Sequence, residues 1–172
     1  MRIGVGYDIH RFQAGRRLVL GGVEFPGETG LAGHSDADVL LHAVIDALLG
    51  AAGLGDIGQH FPPDDPAYEG ASSLELLAQA AAKVRDAGLA VESVDATVIA
   101  ERPRLTPHMA QMREGIAGIL GVAAGRVNVK ASSSEGMGAL GRGEGIAAIA
   151  VALLSGPPDP SPLAPLPQAG EG

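Results

Sequence analysis

GHSDADVLLHAVIDALLG, Gly33 to Gly50, sets the terms on which the rest of the chain is read. Its apolar residues recur with a helical period. Ser35 is the expected N-cap, with Asp38 three residues later in the acidic position of a capping box. At about 100° per residue, Ser35, Asp38, His42 and Asp46 fall within roughly an 80° sector, and Leu40, Leu41, Val44, Ile45 and Leu48 fill the opposite, core-facing arc. A solvated helix face ordinarily carries Lys, Glu and Arg. This one carries His, Asp and Ser, the residue types that bind metals and phosphates. Two readings stand at this point: an amphipathic helix with one buried, satisfied histidine, or a helix that presents ligand groups.

Upstream, RIGVGYDIHR (Arg2 to Arg11) alternates as a strand, with Ile3, Val5, Tyr7 and Ile9 on one face. Asp8 and His10 share the other, because side chains two apart in a strand point the same way. The pair is half of a metal site or part of a solvated edge. RLVLGGVEFP then predicts a β-hairpin turning at Gly21-Gly22.

Downstream, Gly53 to Gly70 reads as a long irregular segment, with Asp56 presented from a tight turn. Ser73 to Ala87 predicts an amphipathic helix ended by Gly88. Val91 to Ala100 predicts a strand that runs into the loop ERPRLTPH. A helix follows over His108 to Leu120, with His108 structural in its first turn. Arg126 to Ser133 is a further strand, and its exit, KASSSEGMGALGRGEG, is the second chemically dense stretch. The apolar run Gly145 to Ser155 favours strand by its Ile and Val content. Beyond it, GPPDPSPLAPLPQAGEG reads as a disordered tail over 156–172. The fold class expected is α+β: a single domain over 1–155, with helices packed on one face of a mixed β-sheet.

Composition narrows the function. Of 172 residues, 46% are hydrophobic but only 3% aromatic, so the core must be built from Ala, Val, Leu and Ile. No cysteine is present, so a zinc site must use His and carboxylate. The net charge of −8 repels polyanions, which argues against nucleic-acid binding and requires local cations for any phosphorylated ligand. The basic residues are ten Arg and two Lys, suited to bidentate phosphate contacts. No apolar run reaches the roughly 18 residues of a membrane span and no signal peptide is read, so the expectation is a cytoplasmic protein with no membrane partner.

GYDIHRF, GHSDADVLLHAVIDALLGAAGLGDIGQHFP, RPRLTPH and VKASSSEG…GRGEGIA together resemble the 2-C-methyl-D-erythritol 2,4-cyclodiphosphate synthases of the non-mevalonate isoprenoid pathway, in matching order and spacing over roughly residues 1 to 155. The resemblance implies a homotrimer of α+β subunits with active sites at the subunit interfaces. It also implies intramolecular phosphoryl transfer. The 2-phosphate of 4-diphosphocytidyl-2-C-methyl-D-erythritol 2-phosphate attacks its own β-phosphorus and expels CMP.

Carried over by position, Asp8, His10 and His42 match zinc ligands, with one tetrahedral position left for substrate. His34 and Ser133 match the residues that stabilise the transition state, and Ser35 joins His34 on the diphosphate. The resemblance places Asp8, Ile9 and His10 against the substrate as well. Asp56, Ile57, Gly58, Phe61 and Asp65 match the methylerythritol pocket. Ala100 through Thr106, with Arg104 and Leu105, match the cytidine pocket, and Ser132, Ser133, Ser134 and Glu135 lie over the phosphates. Glu135 matches the ligand of a second divalent cation, Mg²⁺ or Mn²⁺, and Arg142 a further substrate contact. Asp46, one turn beyond His42, is the expected partner for that imidazole.

The resemblance has departures: Ser replaces a run that is often Thr, Arg104 stands where Lys is frequent, and Ala139 stands where an aromatic is common. Two other function classes remain beside it. One is a zinc phosphoesterase using water as nucleophile. The other is a non-catalytic trimer that binds nucleotides or isoprenoid diphosphates, which predicts a lost metal ligand. Asp8, His10, His42 and Glu135 are all present.

Overall fold

The run Gly145–Ser155, apolar enough for either helix or strand, is the strand β6 and the spine of the sheet. Along one side it pairs antiparallel with β1 (Arg2–Arg11), from Arg2↔Leu154 to Arg11↔Gly145. Along the other it pairs antiparallel with β4 (Ala90–Ile99), which in turn pairs in parallel with β5 (Val127–Ser132). The order is β1-β6-β4-β5, a mixed sheet whose two edges are β1 and β5. A computed structural model describes residues 1–157. The expected tail lies, from residue 158 on, outside the described residues.

The helices lie on one face of this sheet, as expected for an α+β domain. They are α1 (Val39–Ala52), α3 (Ser73–Asp86) and α4 (Met109–Leu120); a short helix α2 (Ile57–His60) lies between α1 and α3, and another, α5 (Gly138–Gly141), between β5 and β6. The segment expected to be irregular holds α2 and a 3₁₀ turn at Pro66–Tyr68. The hairpin β2 (Leu18–Leu20) and β3 (Val23–Phe25) turns at Gly21-Gly22, both with positive φ as such a turn requires. His108 precedes α4 and stacks its ring 4.6 Å from Phe25, a structural role as the sequence suggests.

Glycine decides which face of β1 meets the helices. A Cβ at Gly4 would lie 2.2 Å from Ala47 O, and one at Gly6 2.0 Å from Ala43 O. The α1 backbone therefore rests directly on these glycines, and Ala43, Ala47 and Ala51 on the helix keep the approach close. Asp8 and His10 share that face. The alternate residues Ile3, Val5, Tyr7 and Ile9 point away from every helix and are 72%, 68%, 54% and 48% exposed. Opposite them on β6, Ile149 and Val151 extend the same apolar surface. Across β4 and β5 that face turns polar, with Asp95 accepting from Asn128 and paired with Lys130.

Two details of α1 correct the sequence reading. The N-cap is Asp38, not Ser35. Asp38 is wholly buried, and its carboxylate accepts N–H bonds from Leu41 at 3.1 Å, Gly21 at 2.9 Å and Gly22 at 2.7 Å. The hairpin turn and the helix start are thus held by one side chain. Ser35 lies in the preceding loop, where its hydroxyl accepts from Ala37 N. The helix is also buried nearly all round, so the broad polar sector narrows to His42 and Asp46.

Candidate metal centre and substrate cleft

The strand period carries Asp8 and His10 to the helix side of β1, and the first turn of α1 brings His42 over them. Asp8 Oδ2 lies 2.8 Å from His10 Nε2 and 2.9 Å from His42 Nδ1, and the two nitrogens are 3.3 Å apart. Tetrahedral zinc bonds of about 2.0–2.2 Å place ligand atoms roughly 3.3 Å from one another, so this triangle of N and O donors fits a zinc ion after a small opening of the carboxylate. Among the described residues it is the one group of three His, Cys, Asp or Glu side chains whose ligand atoms converge. The backbone N–H of Ile9 donates to Asp8 Oδ1 at 2.8 Å and fixes the carboxylate's other oxygen.

Burial pushes the Asp8 carboxyl upward, but the hydrogen bonds and positive charge of His10 and His42 outweigh it and hold the group well below the ordinary carboxylate range. Burial likewise opposes protonation of His10, and the bond and charge of Asp8 overcome it and raise that imidazole. The centre is an anionic carboxylate between two imidazoles.

On its far side, His42 Nε2 is 3.0 Å from Ser73 Oγ and 3.2 Å from Ser35 Oγ. Ser73, the fully buried first residue of α3, donates its N–H to Asp36 Oδ2 at 2.9 Å and its hydroxyl to Asp36 Oδ1. The expectation that Asp46 orients His42 is therefore corrected. One helical turn on, Asp46 lies nearer the start of α2 and accepts the Ile57 N–H at 2.7 Å.

The triad opens into a cleft of about 240 Å³ lined by Asp8, His10, His34, Ser35, His42, Asp46, Ile57, Gly58, Phe61, Pro63, Tyr68 and Leu76. His34 Nε2 sits 3.1 Å from Asp65 O. Asp56 and Asp65 have side chains engaged as local caps, on Gln59 N and Ala67 N respectively, and neither lines the cleft. Sequence reasoning missed Pro63, Tyr68 and Leu76. Tyr68 packs edge-on against Phe61, with centroids 5.4 Å apart. Its signal was rarity, as one of two tyrosines in an aromatic-poor chain.

A second cavity, of about 300 Å³, opens where the parallel strands β4 and β5 end side by side. Ala100, Glu101, Pro103, Arg104, Leu105 and Thr106 line it from one strand exit, and Ala131, Ser132 and Ser133 from the other. Glu101 accepts the Ser134 N–H at 2.8 Å and ties the two exits together. Ser133 Oγ donates to Glu135 Oε1 at 2.5 Å, and Glu135 holds a left-handed backbone, φ 51°. Ser134, Glu135 and Arg142 are not in the lining, and Arg142 donates to Glu144 at 2.7 Å. Ile9, Ala147, Ile99 and Ser132 form one row across the sheet. Three strand spacings then separate the β1 edge from the β5 edge by roughly 14 Å. The two cavities share an end of the sheet and occupy its opposite edges.

The sequence model of the YgbB family matches residues 1–155. The chain is 59% identical over 154 residues to the 2-C-methyl-D-erythritol 2,4-cyclodiphosphate synthase of Geotalea daltonii, a match that covers 90% of each chain. In structure it is similar to the bifunctional IspDF of Campylobacter jejuni, with TM-score 0.86 and 43% identity over 89% of this chain and 42% of that one. It is also similar to the CDP complex of IspF from Plasmodium falciparum, with TM-score 0.79 and 30% identity over 90% of this chain and 96% of that one.

Proposed function

The chain belongs to the YgbB family, and from that premise we propose that it cyclises 4-diphosphocytidyl-2-C-methyl-D-erythritol 2-phosphate to the 2,4-cyclodiphosphate with release of CMP, the phosphorus–oxygen lyase step of isoprenoid precursor synthesis. The observation that carries this reading is the convergence of Asp8, His10 and His42 in the wall of a largely apolar cleft. In the reaction, an oxygen of the 2-phosphate forms a bond to the β-phosphorus. The bridging P–O bond breaks, its electron pair leaves with CMP, and no water is consumed.

Asp8, His10 and His42 would hold zinc, and Glu135 a magnesium or manganese ion; together these supply Lewis-acid polarisation and neutralisation of the diphosphate. The rest is the work of the chain. The nucleophile is already an anion, so no strong general base is needed and positioning dominates. His34 and Ser35 line the cleft beside the triad, where ring and hydroxyl protons meet phosphoryl oxygens. Ser132, Ser133 and Ser134 offer the same on the nucleotide side. Ile57, Gly58 and Phe61 give the methylerythritol carbons an apolar wall, with Asp56 and Asp65 holding the segment that carries them. Ala100, Arg104, Leu105 and Thr106 receive the cytidine, and Arg142 lies further out toward the substrate.

The assembly we infer is a homotrimer. The uncovered face of β1 and β6 is apolar across Ile3, Val5, Tyr7, Ile9, Ile149 and Val151, a patch of the kind that marks an interface. In a cyclic trimer each contact joins unlike surfaces of two copies, which allows the β1 edge of one copy to meet the β5 edge of the next. That arrangement supports joining the triad cleft of one subunit to the nucleotide cavity of its neighbour. Mass spectrometry of the product made from the cytidyl substrate with zinc and magnesium tests the activity. The cyclic diphosphate and CMP are expected. Inorganic phosphate or a linear product would make the protein a phosphoesterase.

A further inference from the structure

Resting on the metal-centre reading above, we propose that Asp36 and Ser73 are positioning residues that hold a proton on His42 Nε2, so that Nδ1, which faces Asp8 and His10, is the nitrogen that gives up its proton to a metal. The direction of each hydrogen bond follows from what each group can give. A carboxylate only accepts, and a hydroxyl has one proton to donate. Asp36 takes the Ser73 N–H on Oδ2 at 2.9 Å and the Ser73 hydroxyl proton on Oδ1, where Asp38 N also donates at 3.2 Å. Ser73 Oγ is then left with lone pairs alone, and it lies 3.0 Å from His42 Nε2. A bare Nε2 would set its lone pair against those of Ser73 at 3.0 Å, with only the Ser35 hydroxyl, at the longer 3.2 Å, able to donate to it; a protonated Nε2 completes the chain through Ser73. Ser73 is fully buried, so bulk water offers no alternative partner.

The relay runs from the loop before α1, through the first residue of α3, to the ring on α1. It therefore fixes the ring's orientation as well as its tautomer. A ligand nitrogen whose proton and plane are set in advance binds metal without rearranging, and loss of such an outer partner typically costs about 10- to 100-fold in metal affinity.

Asp36→Asn tests this with little change of shape. The Asn oxygen takes the Ser73 N–H, its NH₂ faces Ser73 Oγ at the expense of the 3.2 Å bond from Asp38 N, and the hydroxyl turns to donate to Nε2, which reverses the chain. Ser73→Ala removes the acceptor outright. Zinc dissociation constants from chelator competition on the full chain should weaken about 10- to 100-fold in both variants. Long-range ¹H–¹⁵N spectra of the metal-free native protein should show His42 Nε2 protonated, and the Asn variant should lose that signature. Native zinc affinity in folded Asp36→Asn and Ser73→Ala overturns the proposal. So does a native His42 with its only proton on Nδ1, a measurement that decides the matter if neither variant folds. His42→Ala separates this from the larger reading: if that variant keeps its zinc, the metal centre itself is misassigned.

Discussion

Asp38 shows how much one side chain can hold. It accepts three backbone N–H groups from two elements, and no isosteric neutral residue does the same. Asp38→Asn would turn an amide NH₂ toward one of those donors, leaving it unsatisfied at a cost of about 1–3 kcal/mol. Burial pushes the Asp38 carboxyl up to about 6, against the downward pull of the Gly22, Gly21 and Leu41 amides. An acid whose pKa rises on folding binds its proton more tightly in the native state. Its contribution is complete below the unfolded value of about 4 and is lost as pH rises through about 6. The stability gap between native protein and Asp38→Asn should therefore widen from pH 7 to about pH 5, read as urea midpoints of both proteins. A gap that stays constant would put this carboxyl in the ordinary range. At Glu135 a different isostere separates charge from structure. Gln keeps an oxygen to accept from Ser133, so Glu135→Gln should retain its zinc and lose most of kcat. Full activity at low magnesium would make the carboxylate a loop residue only.

At the scale of elements, what was legible was what a short window contains. The strand Arg2–Arg11 follows from apolar alternation, Gly145–Ser155 from the Ile and Val content of an apolar run, and the hairpin from a Gly-Gly pair between two β-rich runs. The start of α1 was not legible, because Ser35 and Asp38 are both good caps. The choice is made by the Gly21 and Gly22 amides, far outside any local window. The partner of His42 escaped for the same reason: Ser73 is 31 residues away in sequence and on another helix. From residue pattern alone the triad was readable as two halves, a strand pair and a helical histidine, and it was the family resemblance that joined them at one point. Gly4 and Gly6 decide that meeting. Gly6→Ala would drive a Cβ to 2.0 Å from Ala43 O, against backbone that cannot rotate aside. The strand and helix must separate, at a cost in the range of about 1–3 kcal/mol for overpacking. Because Asp8 and His10 ride on β1 and His42 on α1, zinc affinity should fall together with the urea midpoint. A variant that loses stability but binds zinc as the native protein does would show that the triad tolerates the shift.

For the whole molecule the question is why one chain carries two cavities at opposite edges of its sheet. Among the described residues the converged metal-ligand triad lies in one cleft, the cavity proposed for the nucleotide lies at the far edge of the sheet, and an exposed apolar face lies on the sheet between those edges. A trimer that buries that face and joins unlike edges accounts for all three with one arrangement. It makes a prediction that a self-sufficient subunit does not. His42→Ala disables the metal half and Ser133→Ala the phosphate half, and each should be nearly inactive as a pure assembly. Unfolding the two together and refolding them yields mixed trimers. With equal mixing, half the metal blocks and half the serine blocks are intact and are paired at random between neighbours, so about one quarter of sites are whole. Activity should return toward that fraction of the native level, while each variant refolded alone stays inactive. If each chain instead completes its own site, every site in the mixture carries one lesion. No activity would then return, even with mixed trimers present by native mass spectrometry.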